Sequence, residues 1–389
     1  MINTKIYNTQ FWLLCLSSLL FFASFNMIIP ELPAYLTSLG GGEYKGLIIS
    51  LFTLTAMISR PFSGKLADRI GRVPVMVFGP VVCVICSAIY PIVTTVAGFL
   101  VLRLVHGFST GFKPTGQTAY LSDIIPAERR GEAMGLLGTT GSVGMAAGPA
   151  LGGPIASHFG LNVMFYASSL CGLISIVILL GIKETLKNKH PYSVDLIKID
   201  TKDLFEPRVI MACVVMVLSA YAYGAIYTVM PDFGEFVGIK NKGLLFTYLT
   251  IASLAVRLLG GKASDRWGRQ PVLLFTTSVI AIGMIIIGLA TTRSQLLFGV
   301  VLYGLAQGMT SPTLLAWATD LSDEHHKGRG VASVYMAMEF GIGMGAFGSG
   351  LIFANKTSNF FITFLTAALL SASAFIYLIF LKRRIKPVS

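Results

Sequence analysis

Residues 60–72 read Arg60-Pro61-Phe62-Ser63-Gly64-Lys65-Leu66-Ala67-Asp68-Arg69-Ile70-Gly71-Arg72, and residues 257–269 read Arg257-Leu258-Leu259-Gly260-Gly261-Lys262-Ala263-Ser264-Asp265-Arg266-Trp267-Gly268-Arg269. Arg, Gly, Lys, Asp, Arg, Gly and Arg recur at a constant offset of 197, from 60 to 257. The offset persists beyond the motif. Asp123 and Gly131 (DIIPAERRG) match Asp320 and Gly328 (DLSDEHHKG), and Gly144, Gly148 and Gly153 match Gly341, Gly345 and Gly350. Pro30-Glu31 matches Pro231-Asp232 at an offset of 201, so a small length change lies between. Ordered recurrence of this extent marks an internal duplication.

The duplicated unit is a membrane unit. Of 389 residues, 54% are hydrophobic and 12% charged, and the mean hydropathy is +0.73. A soluble domain carries about 25% charged residues, so most of this surface faces lipid. A spanning helix needs about 20 apolar residues. Spans are predicted at 11–36, 44–67, 73–92, 96–120, 130–156, 161–182, 207–234, 243–264, 271–290, 294–319, 328–354 and 358–381. The expected fold is an all-α membrane protein of twelve transmembrane helices in two pseudo-twofold-related six-helix bundles. Residues 1–183 form the first bundle, 184–206 a Lys-rich linker and 207–389 the second.

Twelve spans put both termini on one side. Of the 30 Lys and Arg, 21 fall in loops on that side, five on the other, and Arg60, Arg103, Lys113 and Arg257 lie inside spans. Basic loops stay in the cytoplasm, which places both termini and the duplicated motif there; the expected location is the cytoplasmic (inner) membrane of a bacterium. The net charge of +12 follows from this loop bias, and no nucleic-acid partner is expected. Cys15, Cys83, Cys86, Cys171 and Cys213 lie in apolar runs, without disulfide-framework or zinc spacing, and read as small packing residues. Met1–Gln10 is polar, and the apolar run after it reads as the first span, not a cleaved signal. The sequence has no GxxxxGK[ST] phosphate loop, paired-His metal motif or Ser-His arrangement at workable spacing. No cofactor, metal or enzymatic activity is expected, and ATP is not the energy source.

On these residues the chain resembles the major facilitator superfamily, in particular its twelve-span drug:proton antiporters. GKLADRIGR at 64–72 is similar to the family's loop 2–3 motif, and GKASDRWGR at 261–269 is its second copy. Arg103-Leu-Val-His-Gly107 resembles the span 4 motif, and Gly144-Met-Ala-Ala-Gly148-Pro149-Ala-Leu-Gly152-Gly153 the span 5 motif associated with proton-coupled antiporters. The resemblance implies a cytoplasmic latch from Gly64, Asp68, Arg72 and Asp123, repeated by Asp265, Arg269 and Asp320, with Asp68 facing the start of span 11 near Gly328. It also implies that tight packing of span 5 against span 8 prevents leak. The span 11 copy has Ala346 for Pro149 and Ser349 for Gly152.

Other polar residues are candidates by position. Arg103, His106, Thr110, Lys113 and Gln117 are spaced 3, 4, 3 and 4, one stripe on a helix at about 100° per residue. A charged stripe in lipid must face protein or water. It reads either as a site for an anionic or zwitterionic group or as ion pairs of Arg103 and Lys113 with Glu31 or Glu339. In span 10 the stripe becomes Val300, Tyr303, Gln307, Thr310 and Leu314, so the halves differ there. Phe22 and Asn26 in span 1, Tyr223 and Tyr227 in span 7, and Tyr303 and Gln307 in span 10 are the remaining substrate-contact candidates. A carboxyl group in a low-dielectric cavity keeps its proton to higher pH than in water. Glu339, Glu31 and Asp232, with His106, are therefore the proton-coupling candidates.

The expected function is secondary active transport by alternating access, with proton-coupled efflux of a small amphipathic compound or drug. The alternative is a proton-coupled carrier, importer or exporter, of an anionic or zwitterionic metabolite. Lipid, protons and a small-molecule substrate are the expected partners, and the expected state is a monomer.

Overall fold

The computed structural model describes residues 7–126, 129–187, 205–322 and 327–384. Most of the expected linker, residues 188–204, lies outside them. The described residues form fourteen α-helices and no strand: α1 (Thr9–Ile28), α2 (Leu32–Ser38), α3 (Lys45–Arg69), α4 (Arg72–Ile89), α5 (Val96–His106), α6 (Phe108–Ile124), α7 (Arg130–Phe159), α8 (Leu161–Leu180), α9 (Ile210–Phe236), α10 (Gly243–Trp267), α11 (Arg269–Gly288), α12 (Arg293–Leu321), α13 (Lys327–Phe353) and α14 (Phe360–Arg384).

The twelve predicted spans are all helical. Two are interrupted. Span 1 passes through a 3-10 turn at Ile29–Glu31 between α1 and α2, where Pro30 cannot donate a helical hydrogen bond. Span 4 is α5 followed by α6, joined at Gly107. Local chemistry sets several starts: Asn8 accepts from Phe11 N at 3.1 Å, Thr95 from Gly98 N at 3.2 Å, and Thr292 with Gln295 forms a capping box on α12. Among the described residues, eight spans are apolar and long enough by themselves to cross a bilayer. Spans 4, 5 and 10 are not among them, and they hold the polar stripe, the glycine motif and the span 10 counterpart of the stripe. In lipid, such polarity persists only where protein or water covers it.

The chain divides into two compact units, residues 1–32 with 54–200, and residues 33–53 with 201–389. In unit 1, α1 packs on α7 and α8, and α4 on α6 and α8. In unit 2, α9 packs on α13 and α14, and α11 on α12 and α14. These are the same pairings, spans 1–5, 1–6, 3–4 and 3–6 reappearing as 7–11, 7–12, 9–10 and 9–12, so the duplication is one of architecture as well as of motif.

The seams within each unit follow from side-chain size. Along α7, a Cβ at Gly144, Gly148 or Gly152 would strike the α1 backbone at Leu19, Ala23 and Met27, so the two helices touch backbone to backbone. In unit 2, Gly341 and Gly345 of α13 meet α9 in the same way, at Val217 and Tyr221. Serines join α1 to α8: the Ser17 and Ser175 hydroxyls are 2.8 Å apart, and Ser24 Oγ donates to Ser168 O at 2.7 Å. At one end, Phe11, Leu14, Met76, Tyr120 and Leu179 form the apolar core of unit 1. Val215, Leu273, Leu314, Trp317 and Leu378 do so in unit 2. Large apolar side chains such as Val101, Leu180, Phe298 and Phe380 remain exposed, as a lipid-facing surface requires.

Candidate functional site

The duplicated motif builds the same triad in each unit. α3 ends at Arg69 and the chain turns into α4 through Gly71, whose φ of +134° only glycine adopts readily. The turn returns Arg72 over the end of α3. Arg72 Nη1 donates to Asp68 Oδ1 and to Ala67 O, both at 2.6 Å, and Nε donates to Asp123 Oδ2 at 3.0 Å. One guanidinium fork thus ties the ends of three spans. In unit 2, Gly268 makes the turn with φ +87°. Arg269 donates to Asp265, to Ser264 Oγ at 2.7 Å and to Asp320 Oδ2 at 2.8 Å. Gly64 lies on α3 with Thr115 of α6 as its nearest neighbour.

Unit 1 adds a residue that sequence reasoning assigned to the linker. The carboxylate of Glu184 accepts from Arg72 N and Val73 N, each at 3.1 Å, and so caps α4. Thr185 Oγ1 donates to Asp123 Oδ2 at 2.6 Å. At the other end of the linker, Glu206 accepts from Arg329 Nη2 at 3.0 Å and donates its own N–H to Ser333 Oγ at 2.9 Å. Neither acid recurs at the repeat offset, which is why the duplication did not expose them.

The polar stripe of span 4 is buried throughout but splits into two groups. Arg103 and His106, on α5, enter a network inside the bundle. Arg103 Nη1 donates to Tyr90 Oη at 3.3 Å, and His106 lies 3.4 Å from Tyr90 Oη and 3.3 Å from Cys83 Sγ. Cys83 in turn sits 3.2 Å from Ser24 Oγ, so it belongs to a polar chain and is more than a packing residue. Thr110 bonds back to Gly107 O at 3.3 Å. Lys113 and Gln117, on α6, turn to α1: Lys113 Nζ donates to Gln117 Oε1 at 2.9 Å, and Gln117 Nε2 donates to Ser18 Oγ at 3.2 Å. Phe22 is half-buried beside them, and Asn26, 1% exposed, bonds its own helix at Phe22 O. The ion pair with Glu31 considered for Lys113 is not formed. Glu31 itself is half-buried in the 3-10 turn.

Unit 2 presents a different surface. Tyr223 and Tyr227 stack on α9 with centroids 4.4 Å apart, and the Tyr223 hydroxyl donates to that of Tyr227 at 2.7 Å. Glu339, on α13 and 7% exposed, and Tyr303, on α12, are within electrostatic reach of Tyr223. Tyr303 Oη and Gln307 Oε1 are buried and have no hydrogen-bond partner among the described residues. These two polar atoms lie one turn apart on α12. Asp232 has a fixed partner instead: Lys45 Nζ lies 2.6 Å from Oδ1. Lys45, sorted by sequence among loop residues, is buried.

The span 5 motif lies on α7. Its ridge of Gly144, Gly148 and Gly152 is seated on span 1 of its own unit. Pro149 is carried within the helix and Gly153 is buried.

Two bundles of matched topology, each with lipid-facing flanks and buried polar groups, define a multi-pass membrane carrier. The Major Facilitator Superfamily profile matches residues 14–242 and 214–389. The chain belongs to that superfamily and is a secondary transporter, not an enzyme. It is 27% identical over 276 residues to Multidrug resistance protein 2 of Bacillus subtilis, covering 67% of this chain and 68% of that one. It is 28% identical over 306 residues to the multi-drug resistance efflux pump PmrA of Streptococcus pneumoniae, covering 75% of each. A crystal structure of a D-xylose-proton symporter superposes with a TM-score of 0.78 at 15% identity, covering 95% of this chain and 96% of the other, a likeness of fold.

Proposed function

We propose that this carrier exports small amphipathic compounds in exchange for protons across the bacterial cytoplasmic membrane, as a monomer with both termini in the cytoplasm. The observation that carries the reading is the placement of Glu339. It is a buried acid in the middle of a span, within electrostatic reach of Tyr223, where a proton and a substrate can compete for one site. The names of the relatives from B. subtilis and S. pneumoniae support drug-like cargo, and the excess of basic loops on one side supports the orientation.

In this reading the halves 1–183 and 207–389 rock against each other about the linker. The Arg72 and Arg269 triads latch the motif end while the opposite end is open. Their partially exposed ion pairs suit a latch. Such pairs are worth about 0–1 kcal/mol each, enough to bias a conformation and weak enough to release on every cycle. The test is purified protein in proteoliposomes, with an imposed pH gradient and a panel of amphipathic dyes of either charge. Dye movement against its own gradient, with reciprocal proton movement, is the expected result. Movement that ignores the pH gradient contradicts the coupling.

A further inference from the structure

Lys113 is 0% exposed, and its surroundings have a chemistry that export of amphipathic compounds does not by itself require. Its backbone is pressed against α4, where a Cβ on Gly79 would lie 2.6 Å from Lys113 Cβ. Its Nζ reaches toward α1, donating to Gln117 Oε1 at 2.9 Å and lying 5.2 Å from the centre of the Phe21 ring. An ammonium carries three donors. Here one is hydrogen-bonded and the ring face meets part of the charge, but neither contact supplies a negative group.

No counter-charge comes from elsewhere in the unit. The acids among the described residues of unit 1 are Glu31, Asp68, Asp123, Glu132 and Glu184. Asp68 and Asp123 hold Arg72, Glu132 pairs with Arg129, and Glu184 caps α4. Of the helices packed on α6, α1 and α4 contain no acid, and the acids of α3 and α7 are Asp68 and Glu132, already engaged with Arg72 and Arg129. Glu31 is ten residues beyond Phe21 along span 1, about 15 Å at 1.5 Å per residue, and does not pair with Lys113. Charged groups inside membrane spans ordinarily pair or mark a substrate path.

We propose that Lys113, with Gln117 and Ser18, is the head-group site for an organic anion: an amphipathic carboxylate, sulfonate or phosphate monoester whose apolar body lies along Phe21, Phe22 and Phe25. Those three rings form a continuous cluster on α1, with centroids 5.4 to 5.7 Å apart. Gln117 orients the ammonium and turns its amide to Ser18, which leaves the other ammonium donors for two anionic oxygens. The proposal rests on the exporter reading and adds to it the sign of the cargo's charge.

The probes are the anionic dye carboxyfluorescein and the cationic dye ethidium, read by fluorescence polarisation on purified protein and by pH-gradient-driven uptake in proteoliposomes. A charge-assisted hydrogen bond in a dry site is worth about ten-fold or more in affinity. Wild type should therefore bind carboxyfluorescein about ten-fold more tightly than ethidium, Lys113→Gln should remove that margin, and Lys113→Arg should keep most of it. Should Lys113→Gln not fold, competition on wild type decides: octanesulfonate should displace the dye and octyltrimethylammonium should not. Preference of wild type for ethidium, equal displacement by both amphiphiles, or unchanged carboxyfluorescein binding by folded Lys113→Gln overturns the anion site. Uptake of ethidium alone would leave the exporter reading standing and the anion site refuted. Anion binding without gradient-driven uptake of either dye would do the reverse.

Discussion

Lys45 Nζ and Asp232 Oδ1 lie 2.6 Å apart, joining the start of α3 to the far end of α9, with the lysine over the Phe353 ring at 5.8 Å. Beside this pair the helices touch: a Cβ on Gly46 would lie 2.7 Å from Ala346 O and 3.2 Å from Gly350 Cα of α13. The lysine is almost fully buried and the aspartate mostly so. Removing one partner leaves a charge in a poorly solvated place, which costs about 3–5 kcal/mol. Lys45→Met and Asp232→Asn should each lower the melting temperature in detergent, and the double variant should recover part of the loss. Strictly additive losses across that cycle would show that the two residues are not coupled.

The Arg72 triad makes a different prediction because its acids are exposed, Asp68 by 69% of its side chain. Asp68→Asn should change stability by less than about 1 kcal/mol while slowing transport. Arg72→Lys should slow it more, since a single ammonium cannot serve Asp68, Ala67 O and Asp123 in the fork geometry. A melting curve and a transport rate on the same preparation check both. Wild-type rates in Asp68→Asn would remove the latch.

Glycines on α7 should divide by face. Gly148→Leu pushes into Ala23 and Met27 of α1, and overpacking of this kind costs about 1–3 kcal/mol or more. Gly138 has open space around its Cβ position, so Gly138→Ala should be neutral or stabilise by about 0.5–1 kcal/mol through helix propensity. Thermal melts should show a clear loss for Gly148→Leu and none for Gly138→Ala.

Glu184 offers a test of how the first half meets the linker. Its carboxylate caps α4 at two backbone N–H groups, and loss of a helix cap costs about 1 kcal/mol. Glu184→Ala should lower the melting temperature modestly and raise amide exchange at Arg72 and Val73. Unchanged exchange there would contradict the capping role.

What could be read in advance depended on whether the chemistry repeats. Asp68, Arg72 and Asp123 share their spacing with Asp265, Arg269 and Asp320, so their grouping followed from register and loop parity alone. The twelve spans were legible because a 20-residue apolar run has few other uses. Lys45–Asp232 was hidden because its partners are 187 positions apart, and Glu206–Arg329 because they are 123 apart. Helical spacing placed Arg103, His106, Lys113 and Gln117 on one face, but spacing says nothing of where long side chains reach. The first two turn to Tyr90 and Cys83, the last two toward α1. The spacing of the α7 glycines announces close packing but does not by itself single out span 1, since any backbone can fill a groove lined by glycines.

The most direct test of proton exchange is Glu339→Gln, assayed in two modes on the same proteoliposomes. Counterflow of a loaded substrate requires alternating access but no proton, whereas uphill movement under a pH gradient requires both. Glu339→Gln should retain counterflow near the wild-type rate and lose uphill transport. Uphill transport that survives in Glu339→Gln would contradict the assignment of coupling to this acid.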